Sequence, residues 1–325
     1  MAANFSYLSY LNVSLRSDNV AGEIYCNARN EVEIIVNFIA LDNKGEQVFL
    51  TEDQMSSSIS LCDFYTGKPL SDDGWNSTIT AGDFVSDGIL LDHASSYTAV
   101  TKKEKNVSSS MLKSGLAGYI LPQSFTMWVS VGTNIYSAKS IAVKIFDGDK
   151  TTYESTYKSD FESRIILAPV AEKSYTMDDM FLSPDANIDG SDSSETNKHS
   201  TFFSFKNNLL TIKKIDGIPE GSDTFICTNY ALWGPASRYI YIDGIKSGQY
   251  GYYTAPNGNR HNYTKNERRG QLCFTLISFF QEGEVANFYE PIIITVYDQY
   301  GNKGHFSAEI NSPSDEFIKI VIKDA

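Results

Sequence analysis

Two long alternating apolar runs, each ended by a turn built on Asp and Gly and followed by a second extended run, restrict this chain to pleated structure. The first comprises Val32 to Leu41, the turn Asp42-Asn43-Lys44-Gly45, and Glu46 to Leu50. The second comprises Ile292 to Tyr297, the turn Asp298-Gln299-Tyr300-Gly301-Asn302-Lys303-Gly304, and His305 to Ile310. A third run, Ser140 to Phe146, ends in Asp147-Gly148-Asp149. Alternation of period two sends successive side chains to opposite faces of a strand. Asp bonds its own backbone in a turn, and Gly accepts the backbone angles that other residues resist. Each segment therefore reads as a β-hairpin or a strand corner.

At 325 residues the chain exceeds most single sandwiches and suits two cores of about 150 residues each. Its 20 Tyr and 19 Phe, with frequent Ser, Thr, Ile and Val, suit half-buried pleated surfaces. Leu, Ala, Glu and Lys never build a long helical window, so little helix is expected. The expected fold is all-β, two immunoglobulin-like or jelly-roll-like β-sandwiches in tandem with long loops. Residues 1–152 form the first, with a long polar insertion at 68–118. Such a loop is functional, mobile or hides short strands, Ser95 to Thr101 being one candidate. Residues 153–163 read as a linker whose aromatics pack, and residues 164–325 as the second sandwich. Expected strands in the second half include Arg164 to Leu167, Leu209 to Ile212 and Phe317 to Ile322, the last carrying lysines that blunt an exposed edge.

A formal charge of −13 and a pI near 4.8 argue against a nucleic-acid partner, because phosphate binding needs a basic stripe. The dense basic cluster, Arg260, His261, Lys265, Arg268 and Arg269, reads as a solvated loop. No stretch approaches the ~20 apolar residues that span a bilayer. Met1 to Leu8 lack the basic start and apolar core of a secretory signal. The expectation is a chain made in the cytoplasm that stays there, or is released or assembled into an extracellular particle by a non-classical route. A removed signal is the third option, against which the retained Met1 argues.

Cys26 and Cys62 lie in the first half, Cys227 and Cys273 in the second, so arithmetic allows one bridge in each. Each also sits within or beside an apolar run, where a free thiol behaves as a small buried hydrophobe. Without a signal, reduced thiols are the default expectation. No Cys-x-x-Cys pair supports zinc.

The segments Val36-Asn37-Phe38-Ile39-Ala40-Leu41-Asp42-Asn43-Lys44-Gly45 and Ile294-Thr295-Val296-Tyr297-Asp298-Gln299-Tyr300-Gly301-Asn302 resemble strand-turn signatures of bacterial immunoglobulin-like modules of adhesin or phage-tail type. The resemblance covers about a tenth of the chain. It implies a binding or spacer role. Cys227, Trp233 and Cys273 follow the Cys-Trp-Cys order of antibody-type domains, but the Trp follows the first Cys too closely to carry over a disulfide.

Two constellations stand out chemically. Asp185, Asn187, Asp189 and Gly190, followed by Ser191, Asp192 and Glu195, match the opening of a loop that wraps calcium with oxygens at alternate positions. Glu195 is eleventh where the closing carboxylate should be twelfth, so a plain acidic surface loop is the competing reading. In the second, Tyr250, Tyr252, Tyr253 and Tyr263 offer stacking faces, with Asn259, Arg260 and His261 as hydrogen-bond partners, a composition suited to sugars or protein surfaces. An ordinary hairpin whose tyrosines pack on its own sheet competes with it.

Catalytic signatures are sparse. His93, His199, His261 and His305 are scattered, and the chain has no Gly-x-Ser-x-Gly, His-Glu-x-x-His or phosphate-cradling loop. Asp92-His93-Ala94-Ser95 holds the letters of a triad without the geometry of one. Asp178-Asp179 suits a glycosidase only if two carboxyls face each other across a cleft. The expected role is non-catalytic: a structural subunit that pairs with copies of itself, or a module recognising a surface glycan or protein. The alternative is a β-pore-forming toxin using Ser95 to Ser110 as an amphipathic hairpin, though Lys102-Lys103-Glu104-Lys105 interrupts its apolar face. A hydrolase on a β scaffold is the third.

Overall fold

The computed structural model describes residues 4–91, 121–184, 196–217, 227–230, 236–246, 249–254, 260–280, 291–310 and 320–325. The fold is all-β, built from antiparallel sheets with a few parallel pairings. The chain divides into two compact units, Met1–Glu172 and Lys173–Ala325.

In the first unit one sheet is organised on β3 (Asn30–Leu41), which pairs with β1 (Tyr7–Leu15) and β8 (Gln123–Val131); β6 (Trp75–Thr78) continues from β8. Short β4 (Gln47–Val48) and β7 (Phe84–Ser86) also lie on β3. The facing sheet runs β10 (Thr152–Glu154), β9 (Lys139–Phe146), β11 (Ile165–Val170) and β2 (Ala21–Tyr25), with β5 (Ile59–Asp63) on β9. The alternation of β3 is realised residue by residue: Val32, Ile34, Val36, Phe38 and Ala40 are buried. They meet Leu61, Ile141, Val143, Ile145, Ile165 and Leu167 of the other sheet in one core. Each such Val, Leu, Ile or Phe stabilises the fold by roughly 1.5–3 kcal/mol over its exposed state. The helix α1 (Glu52–Ser58), not expected from periodicity, is fixed by a capping box in which Thr51 Oγ1 accepts from the Gln54 amide and Gln54 Oε1 from the Thr51 amide.

In the second unit β22 (Lys303–Ile310) pairs with β12 (Ser174–Tyr175), β21 (Ile292–Tyr297) and β23 (Ile320–Asp324), and β21 with β15 (Lys214–Asp216). A second sheet runs β13 (Met180–Pro184), β14 (Thr196–Phe205), β20 (Leu272–Phe280), β17 (Ala236–Gly244) and β16 (Cys227–Tyr230). The hairpin β18 (Gln249–Thr254) and β19 (Arg260–Lys265) stands apart from both. Phe203 of β14 meets Phe306 of β22 edge-on at 5.0 Å, joining the two inner faces.

Two expectations change. Residues 153–163 lie inside the first unit, because β10 and β11 on either side both pair with β9. Sequence could not show this, since a polar stretch between two strands of one sheet has the composition of a linker. The expected strand from Leu209 to Ile212 is instead a turn and an extended segment, with Leu210 N bonding Asn207 O. Gln299 replaces a ladder there, accepting from Thr211 N at 2.8 Å and donating to Leu209 O at 2.9 Å. The insertion at 68–118 contains β6 and β7; Ser95 to Thr101 and the proposed membrane hairpin to Ser110 lie outside the described residues.

Candidate functional site

The described surface feature with the most directed chemistry begins at the end of β5. Asp63 Oδ1 accepts from the Tyr65 and Thr66 amides at 3.0 and 2.7 Å and from Thr66 Oγ1 at 2.8 Å. Gly67, at φ +65°, donates its amide back to Asp63 O at 2.8 Å. A side chain that closes its own turn removes conformational freedom from the tip. Tyr65 is thereby held outward with 59% of its surface exposed.

Asp63 Oδ2 lies 2.9 Å from Lys139 Nζ, which also bonds Asp73. Burial pushes the Asp63 carboxyl up, but the Lys139 ammonium and the Thr66 donors outweigh it and hold the group below its ordinary value. Burial likewise pulls Lys139 down, and its bonds to Asp73 and Asp63 outweigh that, leaving it raised. These residues border a cleft of about 370 Å³ whose lining includes Tyr65, Trp75, Ile135 and Ser137. Trp75 is buried in it, and 61% of the Asp73 side chain is open to solvent.

On the other side of Tyr65 stands the loop between β10 and β11, which is fastened at its base. Ser155, fully buried, donates its hydroxyl to Ser163 O at 2.9 Å and accepts from Val143 N at 3.1 Å. Val13 N donates to Ser163 Oγ, and Tyr157 N to Phe64 O at 2.9 Å. Tyr153 and Phe161 pack against the main core. Tyr157, 50% exposed, is left beside Tyr65 with ring centroids 6.0 Å apart. Phe64 lies edge-on beneath both and is buried with Cys62 and Ala142. Two cations cover this group: the Arg164 guanidinium, 4.8 Å from the Phe64 centroid and 5.5 Å from that of Tyr65, and the Lys158 ammonium, 5.1 Å from that of Tyr157. Arg164 also donates to the Tyr65 hydroxyl. Lys158 adopts φ +66°, a conformation uncommon outside glycine.

The sequence-based site residues fare differently. Asp185, Asn187, Asp189, Ser191, Asp192 and Glu195 lie outside the described residues, as do Asn259 and His93. Tyr250, Tyr252, Tyr253, Arg260, His261 and Tyr263 fall on β18 and β19, whose register sets Tyr252 opposite Asn262 and Tyr253 opposite His261. Among the described residues no three His, Cys, Asp or Glu side chains gather as a metal-ligand set. Asp178 and Asp179 border a second cleft, in the second unit, with Lys206 and Tyr175. There Asp179 accepts from Thr176 N at 3.0 Å within its own 3₁₀ turn, which gives it a local structural role. Cys26, Cys62 and Cys273 are buried, and Cys26 and Cys62 are free thiols, so the first half carries no Cys26–Cys62 bridge. Burial pushes the Cys62 thiol up to about 11.

Sequence reasoning missed Tyr65, Tyr157, Lys158 and Arg164. The Asp63-Phe64-Tyr65-Thr66-Gly67 turn carried a signal, since it has the Asp and Gly of the turns at Asp42, Asp147 and Asp298.

No family model matches the chain, and no curated protein matches it. Among solved structures it is similar to the Streptococcus agalactiae AgI/II polypeptide BspA C-terminal domain, at 8% identity over 97% of this chain and 99% of that one, with a TM-score of 0.19. It is similar also to the C-terminal domain of the Streptococcus pyogenes antigen I/II-family protein AspA, at 6% identity over 91% and 98%, with a TM-score of 0.21. Similarity this low aligns no residues that bear on function, and the reading rests on the geometry of the chain itself.

Proposed function

We propose that this chain is a non-catalytic recognition module, a β-sandwich protein that presents a preformed contact surface centred on Tyr65 and Tyr157. The observation that carries the reading is that two half-exposed tyrosines are each held by a turn closed with its own side-chain and backbone bonds. Ordering aromatic side chains on a rigid turn before contact lowers the entropic cost of binding. Exposed residues on loops fixed by a rigid scaffold are where sandwiches carry recognition.

The test is retention of the full chain on immobilised glycans and proteins, compared with the Tyr65→Ala, Tyr157→Ala double variant, with the bound material analysed afterwards by mass spectrometry. Retention that the double variant loses, with the ligand recovered intact, supports the reading. No retention, equal retention by the variant, or a ligand recovered cleaved overturns it.

A further inference from the structure

Two cations lie over the Tyr65 and Tyr157 rings. Among the described residues neither Arg164 nor Lys158 makes an ion pair. Asp160 and Glu162 are exposed on the same loop and pair with neither. Lys158 is also held at positive φ, a strained conformation for a lysine. Substitution by Gly or Asn would relieve that strain.

We propose that the surface formed by Tyr65, Tyr157, Lys158 and Arg164 binds an acidic glycan, a saccharide bearing a carboxylate or sulfate. The proposal rests on the recognition reading above and names the ligand class of that same surface. A pyranose ring presents an apolar C–H face, and an aromatic ring exposed on a rigid turn is its complement. The anionic substituent is taken by the paired positive charges. The planar guanidinium of Arg164 offers donors beyond the one engaged by Tyr65, in a fork that matches a carboxylate or sulfate. Lys158 adds a point charge within 5.1 Å of the adjoining ring. Because neither Arg164 nor Lys158 is in an ion pair among the described residues, a ligand anion need not displace a carboxylate from either. The net negative charge of the chain disfavours a polyanion over much of its surface. Tyr65 is also a wall of the cleft containing Asp73, whose exposed carboxylate is an acceptor for hydroxyls of a neighbouring sugar unit.

The experiment is titration of the full chain by calorimetry with three soluble polymers: polygalacturonate, which carries carboxylates, dextran sulfate, which carries sulfates, and uncharged dextran. Binding of one or both acidic polymers, roughly tenfold or more tighter than dextran and weakened by added salt, supports the proposal and identifies the anion. Lys158→Asn keeps a residue that tolerates positive φ and removes the charge; with Arg164→Gln it should lower affinity by about tenfold while the melting temperature holds. Arg164→Lys, which keeps the charge and loses the fork, should fall between. Dextran bound as tightly as the acidic polymers, or acidic binding unchanged in the double variant, overturns the proposal. If the chain binds another arrayed ligand through Tyr65 and ignores both polyanions, the ligand class fails and the recognition surface stands. If it retains nothing, both fail.

Discussion

Tyr175 donates its hydroxyl to Asp298 Oδ2 at 2.6 Å, and both residues are buried. Asp298 also accepts from the Tyr300 amide at 2.8 Å and, through both oxygens, from Asn302 at 2.9 and 3.0 Å. One carboxylate thus closes the turn between β21 and β22 and joins it to the short strand β12. Tyr175→Phe removes one donor from a buried acceptor and should cost roughly 2 kcal/mol. Hydrogen exchange of the β21 and β22 amides would measure it, and unchanged protection would contradict this account.

The same pair sets a pH dependence. Burial pushes the Asp298 carboxyl above its ordinary value, and the bonds from Tyr175, Asn302 and Tyr300 only partly offset it. A carboxyl raised on folding favours the folded state most below its unfolded value, near 3.8, and that contribution is lost as pH rises through the folded value. Tyr175→Phe removes a downward influence and should shift the Asp298 titration further up, readable as the carboxyl carbon shift in a ¹³C NMR titration.

The Asp63–Lys139 bridge has the opposite sign in acid. Asp63 is depressed, so its contribution is present above 3.8 and lost as pH falls through its folded value. Lys139 is raised, so its contribution is full below 10.5 and lost as pH rises through its folded value. Both side chains are mostly buried, 11% and 13% exposed. Lys139→Met strands Asp63 without its partner and should cost about 3 kcal/mol at neutral pH, less in strong acid. Urea unfolding followed by tryptophan fluorescence at pH 7 and pH 3 would test the difference; an equal cost at both would exclude the bridge as its origin.

Cys62 should resist alkylation in the folded protein. Its thiol is 2% exposed and is pushed up to about 11, first by burial and then by the balance of Lys144, Glu154 and Asp63 around it. Only the thiolate reacts. Mass spectrometry after iodoacetamide at pH 8 should find Cys62 unmodified in the native chain and modified in guanidinium. Native labelling at the denatured rate would refute this.

Asp42 and Asp298 head turns with one bonding pattern. In each, Oδ1 accepts from the amides two and four residues on, Lys44 and Glu46 at 2.8 and 2.9 Å, Tyr300 and Asn302 at 2.8 and 2.9 Å. In each, the glycine three residues on has positive φ and donates to the Asp carbonyl. Asp42→Ala should cost about 1 kcal/mol, because water replaces the exposed acceptor; Asp298→Ala should cost about 3 kcal/mol, because Tyr175 and Asn302 are left buried with a partner missing. Equal costs, measured by denaturant unfolding, would show that the turn alone sets the value.

Local pattern carried much of this fold. The alternation of Val32 to Leu41 is the buried face of β3, and the Asp-Gly spacing at 42, 147 and 298 is a set of side-chain-closed turns, because both depend on residues within five positions of one another. Short strands such as β2 and β6 left little trace, since a few residues carry too little periodicity to register and their pairing is decided by distant partners.

The amino-acid sequence by itself determined the strand periodicity, the turn chemistry, the acidic surface and the burial of Cys26, Cys62 and Cys273. Only tertiary structure decided that residues 153–163 return to the first sandwich, that the Tyr157 amide bonds Phe64 O, and that Arg164 lies over a ring 99 positions before it. Contacts at that separation are fixed by how two sheets close on a shared core, a consequence of many weak burial terms acting together, which no window of neighbouring residues contains.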